Sequence, residues 1–342
     1  MSSSVPLLGS RLRLAAAPMA GGPTTVALAA AVASAGGFPF LAGGYQTPEA
    51  LSAEIEELRR TGLPFGVNLF VPALSVVDAA AFRAYAAELQ ADADRYGLRL
   101  DSVAAEDDDR WEDKLALLRR HPVPVVSFTF GLPATEVIAS LHEAGSQVLA
   151  TVTTPSEAGM ARDAGVDGLI VQGPSAGGHS ATYDPARDIT AIETDELVRQ
   201  VRRVTELPVI AAGGVDGPDA VHRLRVAGAA AVAVGTLLLR TDEAGTSPTH
   251  RAALTDPAFT ETVITRVFTG RPARALRNTF IDRHEPTAPV AYPALHHLTR
   301  PIRQAAAAAG DANRLHLWAG TGYRSAPAGP AADVIESLAE GL

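Results

Sequence analysis

Eight short apolar runs, separated by helical patterns, constrain this chain more than any other feature. The runs fall at 12–16, 38–42, 65–69, 123–128, 147–151, 168–171, 209–212 and 231–234. Each is nearly continuous in apolar residues, the pattern of a parallel strand covered on both faces. Helical patterns fill the gaps at 24–35, 48–60, 109–120, 135–144, 155–164, 194–205 and 218–227. Thr47-Pro48, Thr154-Pro155 and Gly217-Pro218-Asp219 are helix-start signals, because a side-chain or backbone cap precedes a proline that needs no N–H partner. Gly62, Gly145, Gly165 and Gly228 are stop signals. This alternation predicts an α/β fold, a (β/α)8 TIM barrel. A doubly wound open sheet is the alternative, but neither GxGxxG nor GxxxxGK[ST] occurs.

Two stretches exceed the regular unit. Residues 71–110 are long for one connection and hold a helical run at 78–96. Residues 241–313 follow the eighth strand and read as helix and loop. The expected organisation is a barrel over 1–240, a smaller helical appendage or lid over 241–313, and a tail over 314–342 that returns to the barrel. The two long stretches are expected to pack together beside the rim. The acidic run Glu106, Asp107, Asp108 and Asp109 reads as decoration of a helix N-terminus.

Composition narrows the chemistry. With 342 residues and a net charge of −9, nucleic acid is not an expected partner. The chain has no cysteine, which removes disulfides, thiolate nucleophiles, Fe–S ligation and Cys-zinc sites. Lys114 is the only lysine and sits in the amphipathic run RWEDKLALLRRH, where its charged face is expected to meet solvent. Schiff-base chemistry at a strand end is therefore nearly excluded. The N-terminal stretch is broken at Pro18, unlike a signal peptide. The apolar stretch 24–42 is interrupted by Gly36-Gly37 and Pro39, so it suits a buried helix and strand better than a membrane span. A cytoplasmic protein without membrane partners is expected.

The strand ends carry the functional signal. LPVIAAGGV at 207–215 and AVAVGT at 231–236 end successive strands in glycine turns. Backbone N–H groups at Gly213, Gly214 and Gly235, with the Thr236 hydroxyl, suit a phosphate without any lysine. The alternative is a pair of tight turns with no ligand. Asn68 in FGVNLF and Gln172 in GLIVQGPSAGGH stand at strand ends among apolar neighbours. A buried amide there needs a partner, either a flavin ring edge or a neighbouring loop. APMAGG ends the first strand and offers backbone to a flat ring. His179 alone of the 9 histidines leaves a strand end on a Gly-Gly loop, where it suits removal of a proton from an acidic carbon. His284, His296, His297 and His316 fall in the region after the barrel. No H-E-x-x-H spacing occurs, so no metal is expected.

AAPMAGGPTT, FGVNLF, VVSFTFGLP, QGPSAGGH, AAGGV and AVGT together resemble the nitronate monooxygenases, formerly 2-nitropropane dioxygenases, across 14–240. The tail motif WAGTGYR is also similar to the group. The resemblance implies a barrel with non-covalent FMN and an oxidoreductase using O2 to convert alkyl nitronates, and nitroalkanes, to carbonyl compounds and nitrite. By motif, Asn68, Gln172, Gly177 and Gly178 would contact the flavin, and Pro18, Met19 and Ala20 would line its ring. Gly213, Gly214, Ala233, Val234, Gly235 and Thr236 would hold its phosphate. His179 matches the active-site histidine. The chain departs from the commoner EAGGH at Ser175. Other flavin barrels match less well. Thr182 stands where hydroxy-acid oxidases carry Arg and old-yellow-type enzymes carry a His/Asn partner, and inosine-monophosphate dehydrogenases need a cysteine. Two alternatives remain: an NAD(P)H-dependent FMN reductase acting on enoyl thioesters or quinones, and a flavin-free phosphate-binding barrel.

Overall fold

The computed structural model describes residues 8–72 and 77–342. The first residues of the N-terminal stretch and 73–76 of the long 71–110 connection lie outside the described residues. Eight parallel strands close a barrel: β1 (Leu14–Ala16), β2 (Phe38–Ala42), β3 (Gly66–Phe70), β4 (Val125–Thr129), β5 (Gln147–Val152), β6 (Gly168–Gln172), β8 (Val209–Ala212) and β9 (Ala231–Val234). A two-residue strand, β7 (Gly178–His179), falls between β6 and β8 in the chain but outside the barrel. Closure comes from β1 pairing with both β2 and β9, in register Ala15↔Phe38 and Ala15↔Ala233.

The helices between strands begin where the local chemistry directs. Thr25, Thr47 and Thr154 each accept a backbone N–H from the first turn of α1 (Val26–Ser34), α2 (Pro48–Arg59) and α6 (Pro155–Asp163). Such caps satisfy donors that a helix start leaves unpaired. The long connection contributes α3 (Ala79–Asp94), followed by α4 (Trp111–Arg120), with α5 (Thr135–Glu143) ahead of β5. After β6 come α7 (Thr194–Arg202) and α8 (Pro218–Val226).

Strand alternation sorts side chains into two layers. Ala15, Phe38, Phe40, Val125, Leu149, Ile170, Ile210, Ala231 and Ala233 fill the barrel interior. Their neighbours Val67, Leu69, Leu169, Val171, Val232 and Val234 pack outward under the helices. Bulk on β2 is matched by absence on β3: a Cβ on Gly66 would come within 2.5 Å of the Phe40 ring. This alternation places Asn68, two residues beyond Gly66, and Gln172, two beyond Ile170, on the inner face at the C-terminal rim.

Residues after β9, expected as helix and loop, also carry a β-hairpin. They contain α9 (Pro248–Ala253), the hairpin β10 (Thr262–Thr265) and β11 (Ala273–Leu276), α10 (Thr279–His284) and α11 (Ala294–Ala308). The β-branched segment TVIT is a strand former, but at four residues it is too short to carry a clear period-2 signal. β11 also pairs with β7, with Ala273 opposite His179. The hairpin therefore grips the histidine loop. α3 packs into this appendage: Phe82, Tyr85 and Leu89 share a core with Phe268, Phe280, Leu295 and Ile302. Asp92 of α3 ties the same contact by ion pairs to Arg283 at 2.7 Å and Arg314 at 2.5 Å and by a hydrogen bond with His284 at 2.9 Å. α12 (Ala331–Ala339) closes the chain against α1 and α8.

Lys114 corrects the solvent-facing expectation. It is 1% exposed and pairs with Asp109 at 2.8 Å. The Asp109 carboxylate also accepts the Tyr45 amide at 2.9 Å, so the charge pair fixes the β2–α2 loop. The acidic run is accordingly more than helix decoration, since Asp107 reaches His297 of α11 at 2.8 Å. Amphipathic spacing fails here because a loop from elsewhere covers the charged face. No helix of the described residues is long and apolar enough to cross a membrane.

Candidate active site

A cavity of about 790 Å³ opens at the C-terminal rim of the barrel. Among its lining are Pro18, Met19, Ala20, Asn68, Gln172, Gly177, Gly178, His179, Gly213, Gly214, Ala233, Gly235 and Thr236. The strands bring together segments far apart in sequence. Val234 is the exception. Its side chain is 1% exposed and packs under the helices, because it alternates with the inward Ala233. Its carbonyl accepts the Ala17 amide at 2.8 Å.

The glycine end is built from three segments. The β8–β9 ladder ends at Ala212↔Ala233, and on the β1 side β9 pairs one residue further, Ala16↔Val234. Gly213 and Gly214 then take φ values of 107° and 74°, which L side chains rarely adopt. The tail is the third segment. Gly320 donates its amide to Thr236 Oγ1 at 2.9 Å, and Thr321 N donates to Ser175 O at 3.1 Å. A Cβ on Gly177 would meet the Gly320 amide at 2.5 Å. WAGTGYR thus completes the cradle, which explains its small residues.

The two strand-end amides have protein partners. Asn68 Nδ2 donates to Ser127 Oγ and Thr129 Oγ1, each at 2.9 Å. Gln172 Nε2 donates to His179 O at 3.1 Å, and its Oε1 accepts from Ala181 N at 2.8 Å. Gln172 therefore clamps the loop carrying the histidine from the barrel side, while β11 holds it from the other.

His179 sits in an aromatic box. Phe130, Tyr292 and Trp318 approach its ring with centroids at 5.6, 5.9 and 5.4 Å. Its Nε2 meets Thr269 Oγ1 at 2.9 Å. Burial, then the charges of Arg271 and Arg303, push the imidazole down to about 3. It is neutral at physiological pH, with one ring nitrogen available as a base.

Several cavity residues were not singled out by the sequence. Tyr45 stacks on His296 with centroids 4.1 Å apart, and its hydroxyl accepts from Tyr292 at 3.2 Å. His296, Arg303 and His316 line the same cavity as His179. All three come from the region after the barrel, where no local motif marks them. Thr246 Oγ1, His250 Nε2 and His316 Nδ1 are buried at the cavity wall without a protein hydrogen-bond partner. Such atoms are costly unless a bound group satisfies them, so the wall fits a ligand with polar atoms to meet them. No group of three or more metal-ligating side chains occurs among the described residues.

A family model described as nitronate monooxygenase matches residues 13–341. The chain belongs to the nitronate monooxygenase family. It is an enzyme, a flavin oxidoreductase of that family. A probable nitronate monooxygenase of Staphylococcus saprophyticus is 36% identical over 93% of this chain and 91% of its own length. One from Staphylococcus aureus strain Newman is 33% identical, covering 93% and 90%. Among solved structures, nitroalkane oxidase from Streptomyces ansochromogenes superposes with a TM-score of 0.92 at 46% identity, covering 97% of this chain and 96% of that one. FabK from Thermotoga maritima gives 0.75 at 27% identity, covering 98% and 94%. The nitronate monooxygenase frame accounts for a barrel whose rim joins a glycine cradle to a histidine loop.

Proposed function

We propose that the enzyme binds FMN and uses O2 to oxidise alkyl nitronates, and nitroalkanes after loss of their α-proton, to carbonyl compounds and nitrite. The observation that carries this reading is His179. It is a neutral imidazole held by Gln172 and β11 at the wall of a cavity whose far end is a glycine cradle. Pro18, Met19 and Ala20 would line the flavin ring, with Asn68, Gln172, Gly177 and Gly178 around its edge. The backbone of Gly213, Gly214, Ala233, Val234, Gly235 and Thr236 would take the phosphate. The bound flavin supplies the electron acceptor. The protein's own task is to hold the substrate, exclude water with the aromatic box and move one proton at the His179 ring. The likeness to nitroalkane oxidase at 46% identity supports the substrate class.

Acid precipitation should release the cofactor as free FMN, because the chain has no cysteine for a thioether link. Release of FAD, or colour left on the precipitate, contradicts the assignment. Anaerobic mixing of the oxidised protein with a nitronate should bleach the flavin band, whereas NADH or NADPH should not. Rapid bleaching by a pyridine nucleotide would instead favour the reductase reading, which the likeness to FabK keeps in view. A colourless protein that takes up no added FMN would favour a flavin-free barrel.

Two substitutions test the cradle. Gly214→Val forces a side chain onto a φ of 74° and brings its Cβ to 3.2 Å from the Ser175 Cβ, and it should empty the site. Thr236→Ala removes both a hydroxyl and the acceptor for Gly320. It should weaken FMN binding by about 1–2 kcal/mol. A folded Gly214→Val protein with full FMN occupancy, measured by absorbance ratio, would move the phosphate elsewhere.

A further inference from the structure

Arg303 is 6% exposed and stands on α11 in the cavity wall. Its Nε donates to Thr299 Oγ1 at 3.1 Å. Its Nη2 donates to His296 O at 2.8 Å and faces His296 Nδ1 at 3.3 Å. Its Nη1 faces His316 Nε2 at 3.4 Å. A guanidinium has five N–H groups, so these contacts leave one at Nη1. Every partner is an uncharged acceptor, since burial keeps both imidazoles in the neutral form. They orient the guanidinium and leave its charge uncompensated.

Arg271 repeats the pattern. It is 0% exposed, donates to Thr182 O and lies over the Phe130 ring at 4.0 Å. Its Nε and Nη1 have no hydrogen-bond partner. No ion pair among the described residues involves either arginine. Burial lowers both to about 10, which still leaves them charged at neutral pH. Arg271 feels the Glu157 and Asp184 carboxylates only at a distance, without an ion pair, and Arg303, which lines the cavity, has no ion-pair partner among the described residues; a buried cation so placed is unfavourable unless an anion joins it. The glycine cradle for a phosphate lies on β8 and β9, whereas these cations belong to the appendage side beside His179.

We propose that Arg303, oriented by His296 and His316, holds an oxygen of the substrate's nitro group, and that its charge, with that of Arg271, makes the anionic nitronate the preferred form over the neutral nitroalkane. This rests on the nitronate reading above. An N–H donated from a charged group to an anionic oxygen is stronger than one to a neutral nitro oxygen. Arg303 is thus a specificity residue, distinct from the proton-transfer role of His179.

The direct test uses nitrate, an unreactive planar anion, titrated into the oxidised holoenzyme and followed by the flavin absorbance. Nitrate and propionate should each bind at least tenfold tighter than the neutral isostere propionamide. Arg303→Gln should lose that preference and raise KM for a propyl nitronate at least tenfold, with KM for neutral nitropropane changed less than threefold. Arg303→Lys, which keeps the charge without the fork, should fall between the two. Equal binding of nitrate and propionamide to the wild-type enzyme would overturn the proposal without recourse to any variant. So would an Arg303→Gln protein with unchanged nitrate affinity and nitronate KM. An enzyme that binds nitrate through Arg303 and turns over no nitronate would support the anion site while refuting the substrate reading.

Discussion

His179→Asn is expected to lower turnover of a neutral nitroalkane by about 10²–10⁴-fold, the usual worth of a positioned general base. Activity on the corresponding preformed nitronate should survive to a much greater extent, because that anion has already lost the proton. The depressed imidazole does not argue against a base role. The arginine charges that disfavour an imidazolium at His179 favour the nitronate formed in the same transfer, so the pair of products is less penalised than the imidazolium alone. Measuring kcat/KM for a nitroalkane and its nitronate side by side separates the possibilities. Equal losses on both would assign His179 to binding. No loss on either would leave it as a scaffold for β7, and the base would then be sought in the appendage.

The barrel was legible because its signals are local. Thr-Pro helix starts, Gly stops and uniformly apolar strands each rest on a few consecutive residues, and the eight strand runs match those of the structure closely. The glycine turns at the ends of β8 and β9 were legible for the same reason: a glycine pair at a strand end is a turn wherever it occurs. The appendage side was not. Thr269 reaches His179, and His296, Arg303 and His316 line the same cavity, only through the packing of α3, α11 and the β10–β11 hairpin, while Tyr45 joins them from the β2–α2 loop by stacking on His296. Nothing in the spacing of AYPALHHLTRPIR distinguishes a helix face turned to a cavity from one turned to solvent. Lys114 shows the same limit in reverse, since its helical position reads as exposed until Asp109 and the Tyr45 loop are in place. Gln172 shows a third case. Its need for a partner was readable, but the identity of that partner, the histidine's own loop, depended on how that loop folds back.

Lowering the pH from 7 to 5 is expected to destabilise the protein through histidines buried in the neutral state. His250 is pushed down to about 4 by burial, and His296 is held lower still by burial and the Arg303 charge. In the unfolded chain both titrate near the ordinary value of about 6.5. A folded value below the unfolded one means that the unfolded state binds the extra proton. The stabilising contribution is therefore complete above about pH 6.5 and falls away as pH drops, down to about pH 4 for His250 and further for His296. Between pH 7 and 5 each contributes a loss of about 2 kcal/mol, or about 4 kcal/mol for the pair, an expected fall in Tm of roughly 5–10 °C. His179 and His316, which face the cavity, are also held in the neutral form and act in the same direction. His296→Gln removes one titrating group while keeping polarity in the wall. Whatever its stability at pH 7, it should lose about 2 kcal/mol less than the wild type on moving to pH 5, measured by urea unfolding at both values. A variant whose stability falls with the same slope as the parent would show that His296 is already protonated in the fold, and the neutral acceptor assigned to Arg303 would go with it.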